Sequence, residues 1–135
     1  MRLASYRAPN FVFTEHEFEL PLDHAQPGGP TITVFTRELA APDGADRPYL
    51  IYLQGGPGFE ATRPTSPPSG WQKRAIADYR VLLLDQRGTG RSTPVGSEIP
   101  GDSPEAQAAY LTHFRADSIV RDAERIRAEV SELRG

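Results

Sequence analysis

Leu53-Gln54-Gly55-Gly56-Pro57-Gly58 follows directly on the apolar run Tyr49-Leu50-Ile51-Tyr52-Leu53, and Asp85-Gln86-Arg87-Gly88-Thr89-Gly90-Arg91-Ser92 follows directly on Val81-Leu82-Leu83-Leu84. Neither run alternates apolar with polar residues. Such runs suit strands covered by helices on both faces, as in a parallel sheet. Parallel neighbours need a crossover, and Trp71 to Tyr79, with Trp71, Ala75, Ile76 and Tyr79 at helical spacing, supplies a short helix for it. Each glycine-bearing turn therefore stands at the carboxyl end of a buried strand. In an open α/β sheet that edge is where ligands and catalytic groups gather.

Upstream, residues 11–22 carry Phe11, Phe13, Phe18, Leu20 and Leu22 among polar residues, a pattern that predicts a half-buried strand. Asp23 to Pro30 has turn composition, and the β-branched, alternating Thr31 to Arg37 reads as the returning strand of a hairpin. Downstream, Ser103-Pro104-Glu105 places an N-cap, a proline at the first helical position and an early acid, which opens a helix through Phe114. From Asp117 onward, Ile119, Val120, Ala123, Ile126, Val130 and Leu133 recur at helical spacing. The charged residues of that helix, Asp117, Asp122, Glu124 and Glu129 among them, are expected on a solvated face. The order is hairpin, strand, helix, strand, helices, and the fold class is α/β.

Composition narrows the functional classes. The chain has 135 residues, enough for one domain, and a formal net charge of -3, which offers no footprint for nucleic acid or an anionic membrane. Absence of cysteine excludes disulfides, thiolate metal sites and a Cys nucleophile. No stretch approaches the roughly 20 apolar residues of a membrane span, and the first residues lack the apolar segment of a signal peptide. A soluble, cytoplasmic protein is expected. The three histidines, His16, His24 and His113, show no metal-ligand spacing, so no metal and no cofactor is expected. His24 reads as a hydrogen-bonded turn residue.

Glycine turns at these positions invite two chemical readings. Gly55 and Gly56 lack a Cβ, so their backbone N–H groups can approach a substrate and donate to a developing oxyanion. Pro57 stiffens that loop, Gly58 completes its turn and Gln54 leads into it. G-G-P-G by itself is also simply a tight turn; its place after an apolar strand and ahead of the second loop favours the oxyanion reading. The second loop lacks the lysine of a phosphate-binding P-loop and the third glycine of a dinucleotide fingerprint. Its Asp85 and Arg87 are expected to pair or hydrogen-bond as braces of adjacent loops.

These residues together resemble the proline iminopeptidases, serine aminopeptidases of α/β-hydrolase fold. The resemblance rests on Phe18 to His24 (F-E-L-P-L-D-H), Gly55-Gly56-Pro57-Gly58, Asp85 to Ser92 (D-Q-R-G-T-G-R-S) and the helix from Asp117 to Arg127. Many relatives carry histidine before G-G-P-G, where this chain has Gln54. The resemblance implies the N-terminal part of an α/β-hydrolase domain, residues 1–135, in which an antiparallel hairpin precedes parallel βα units and the sheet is incomplete. It implies release of N-terminal proline from peptides, with Gly55 and Gly56 at the oxyanion hole.

The nucleophile elbow G-x-S-x-G of such enzymes does not occur in this sequence, so the chain alone is expected to be inactive. Its implied partners are a peptide with N-terminal proline, once the site is completed, and a complementing C-terminal chain or a second copy at the exposed sheet edge. Two other readings stay open: a non-catalytic interaction domain, and another hydrolase of the same fold such as an epoxide hydrolase.

Overall fold

The computed structural model describes residues 2–8, 10–53, 61, 68–95 and 99–132. Five strands form one sheet: β1 (Arg2–Ala8), β2 (Phe11–Pro21), β3 (Thr31–Ala40), β4 (Tyr49–Leu53) and β5 (Arg80–Asp85), in the order β1-β2-β3-β5-β4. The pairs β1–β2, β2–β3 and β3–β5 are antiparallel, whereas β4 lies parallel to β5. The helices are α1 (Gly70–Ile76), α2 (Pro104–Leu111), continued by a 3-10 turn over Thr112–Phe114, and α3 (Ala116–Glu132).

The β2–β3 hairpin forms where alternation and turn composition place it. Leu22 N–H donates to Pro30 O, and the Asp23 carboxylate accepts Ala25 N–H within the turn. β1 is an addition that the composition of Arg2–Ala8 did not announce; it pairs with β2 through a register shift between Arg2 and Ala4. Ser103 caps α2 through its hydroxyl, which accepts Ala106 N–H, with Pro104 behind it.

Pairing sorts the side chains into two cores. Phe18, Leu20, Ile32, Val34, Leu82 and Leu84 share one face and pack against Ile126 and Val130 of α3. Leu39, Val81 and Leu83 share the other, with Ala61, Ile76 of α1 and Phe11. The apolar residues of β2 therefore belong to both faces. Phe18 and Leu20 look toward α3, and Phe11, in the opposite phase of the strand, joins the α1 side.

The two parallel strands differ from expectation in one respect. All six residues of β5 are buried, as a strand covered on both faces must be. β4 is not: Leu50, Tyr52 and Leu53 are 37–40% exposed. Crossing over through α1 brings the chain back inside β4, between it and β3, so β4 forms the edge of the described sheet.

Candidate functional site

β5 leaves β3 at the pair Phe35–Asp85. Beyond that pair, two backbone donors of β3 would lose their ladder partners, and the turn after β5 replaces them. Ser92 Oγ accepts Phe35 N–H at 2.9 Å while donating to the Asp85 carbonyl, and Thr93 Oγ1 accepts Thr33 N–H at 2.8 Å. The turn closes through Thr89 N–H to Gln86 O and Ser92 N–H to Thr89 O. Gly88 and Gly90 both hold positive φ, 86° and 52°. A Cβ on Gly88 would also stand 3.1 Å from Phe114 Cδ1. The G-T-G of this motif is thus set by backbone geometry.

Asp85 is fully buried at the end of β5. Its carboxylate faces the buried Arg37, whose Nη1 lies 3.1 Å from Oδ1 and 3.3 Å from Oδ2. Two backbone donors complete the set: Ala61 N–H to Oδ1 at 3.2 Å and Arg91 N–H to Oδ2 at 3.0 Å. One carboxylate therefore ties a residue just beyond the first glycine loop to the second loop. Arg37 and Arg91 stack on the Phe35 ring, at 4.7 and 4.0 Å from its centroid.

Arg87 does not pair with Asp85. Two residues further along it turns toward the α3 side of the sheet, where Asp122 is buried beside it. All five N–H groups are used. Nε and Nη2 grip the two oxygens of Asp122 at 2.7 and 2.6 Å, the second Nη2 hydrogen reaches Pro21 O at 3.0 Å, and Nη1 serves Leu22 O and His113 O, both at 2.8 Å. With no hydrogen left for His24 Nε2, 3.1 Å from Nη2, that nitrogen keeps its own proton and donates to Asp122 Oδ1 at 2.8 Å. His24 is the hydrogen-bonded turn residue its sequence context suggested. Arg87 joins the end of β2, the turn after α2, and α3.

Asp122 corrects the expectation of a solvated helix face. Asp117 and Glu124 are exposed and Glu129 is half-buried, but Asp122 is 1% exposed. Its signal was present: Ile119, Asp122, Ile126 and Val130, at spacings of three and four, form one stripe and all are buried. Arg37 and Ala61 carried no comparable signal, because only strand pairing brings them to Asp85. Gln54, Gly55, Gly56, Pro57 and Gly58 lie outside the described residues. Among the described residues, no helix is long and apolar enough to cross a membrane, and no three His, Asp or Glu side chains cluster as metal ligands.

A mixed sheet with a parallel βαβ unit, helices on both faces and a glycine turn at the carboxyl end of β5 defines the class: an α/β-hydrolase-type fold. No protein-family model matches the chain. It is 58% identical over 120 residues to a proline iminopeptidase of Aeromonas sobria, a match covering 86% of this chain and 28% of that protein. It is 40% identical over 121 residues to a proline iminopeptidase of Aspergillus aculeatus, covering 84% and 26%. Over these residues the chain is homologous to the proline iminopeptidases, and it spans little more than a quarter of the length of those relatives.

Proposed function

We propose that this chain carries the oxyanion-hole side of a serine aminopeptidase that releases N-terminal proline from peptides. In this reading Gly55 and Gly56 donate backbone N–H groups to the developing oxyanion, while Gln54, Pro57 and Gly58 shape their loop. Asp85 supports it directly, and Arg87 braces the framework on the other face of the sheet. A serine nucleophile with its acid and histidine comes from sequence outside these residues, and the 135-residue chain by itself releases no proline. The exposed edge of β4 is where a complementing segment or a second copy would pair. A cytoplasmic location belongs to the same proposal.

One observation carries the reading. The Asp85 carboxylate is buried and holds Ala61 N–H, three residues beyond Gly58, together with Arg91 N–H of the next loop. Donors that stabilise an oxyanion work best when they need no reorganisation during reaction. A buried carboxylate gripping the exit of a glycine loop supplies such rigidity, at the strand end where this chain matches named peptidases.

The test is release of arylamine from a prolyl-arylamide by the full-length gene product. Gly56→Val is expected to lower kcat by about 10²–10³-fold, the usual cost of losing one oxyanion donor, with KM little changed. An unchanged kcat would remove the loop from the mechanism. Turnover of epoxides with no release of proline would move the protein to another hydrolase of this fold.

A further inference from the structure

At the opposite end of the parallel strands from the Asp85 turn, Tyr49 and Arg80 open β4 and β5 beside a cavity of about 460 Å³. β1 and β2 form its other wall, and Val130 of α3 borders it. The strands between are five and six residues long, so at about 3.3 Å per residue the two ends stand roughly 15–20 Å apart. The cavity is a separate place from the glycine loops.

Its lining is cationic. Arg2 and Arg7 reach it from β1, are exposed, and make no ion pair among the described residues. Arg80 is 6% exposed; its guanidinium lies 3.7 Å over the Tyr49 ring and Nε donates to Arg47 O at 2.7 Å, yet Nη2 has no partner among the described residues. His16, 5% exposed, donates through Nε2 toward Glu38 at 3.2 Å, and its Nδ1 has no partner there either. A buried polar group left without a partner costs about 1–3 kcal/mol. On this lining Nη2 of Arg80 is a donor of that kind, and it calls for an acceptor.

Among the described residues Glu38 is the one acid on this lining, and it is already engaged by His16 and by the Tyr49 hydroxyl at 3.0 Å. Burial pushes its carboxyl up, but the His16 hydrogen bond and charge, the Tyr49 hydroxyl and the Arg80 guanidinium outweigh this and hold it below the usual value. Glu38 therefore cancels one positive charge and leaves a surplus from three arginines. The hydroxyls of Ser5 and Thr14, 3.2 Å apart, add short donors on the same wall.

We propose that this cavity binds a compact, doubly charged tetrahedral oxyanion of the phosphate class, held by Arg2, Arg7 and Arg80. Guanidinium groups suit such an anion because their planar forks donate two parallel hydrogen bonds.

Calorimetric titration of the full-length gene product with sodium sulfate and with sodium phosphate, each against sodium chloride at equal ionic strength, tests it. Saturable one-site binding of both dianions is expected. Arg2→Gln with Arg7→Gln should weaken it at least tenfold while the thermal melt in chloride stays unchanged, since both side chains are exposed. Heats no larger than those of chloride, or an affinity indifferent to the double substitution, would overturn the site.

Discussion

Asp85 and Asp122 are both buried carboxylates facing a buried arginine, yet they are used differently. Asp122 meets a guanidinium whose five donors are all spent on the carboxylate and three carbonyls, with His24 closing the network. Asp85 meets Arg37 through a single nitrogen and gives its remaining capacity to the backbone of two loops; Arg37 Nε has no partner among the described residues. The first network locks secondary structures together. The second ties the backbone at Ala61 and at Arg91 to the end of β5. Two residues of one motif, on opposite faces of the sheet, thus divide framework from site.

The sharpest way to break that contrast is Arg87→Met. It strands the Asp122 carboxylate and three carbonyls in the interior, and loss of one partner of a buried pair costs about 3–5 kcal/mol. Urea unfolding of the full-length gene product is expected to lose at least that much, while kcat per folded molecule stays near the parent value. A loss under 1 kcal/mol would show that the network is not the framework described.

Asp85→Asn comes next. Asparagine retains one accepting oxygen, so the expected cost is about 1–3 kcal/mol, smaller than for Arg87→Met. Here kcat for a prolyl-arylamide should fall even under conditions where the variant is fully folded. An unchanged kcat in the folded variant would take Asp85 out of loop support and erase the difference between the two carboxylates.

Glu38 provides the smallest effect and a third case, a carboxylate held chiefly by a histidine hydrogen bond. Because its folded value is held below the ordinary one, its contribution is present above the unfolded carboxylate range, about pH 4.3, and is lost as pH falls through the folded value. Glu38→Gln is expected to cost about 1 kcal/mol at pH 7, with the gap closing toward acid. A gap constant from pH 7 to pH 3 would mean that the carboxylate charge contributes nothing.

How legible the chain was depends on the range of each signal. Val81 to Leu84 declared a strand buried on both faces because every residue is apolar. The same pattern in Tyr49 to Leu53 misled, since burial depends on which neighbour lies outside the strand, and β4 is the edge of the described sheet. Gly88 and Gly90 announced a turn through their own backbone freedom. Arg2–Ala8 announced nothing, because a short strand with arginines at both ends gains its place from pairing with β2.

By itself, then, the sequence determined what local chemistry dictates: the hairpin, the capped α2, the apolar stripe of α3, the glycine turn after β5 and the α/β class. Tertiary structure alone decided which charges meet. Arg37 and Asp85 stand 48 positions apart, and Arg87 and Asp122 stand 35 apart. Their encounters follow from strand order and from the face on which a helix packs. Periodicity fixes which way a side chain points, but only assembly removes it from water, and only there does an ion pair become an obligatory tie.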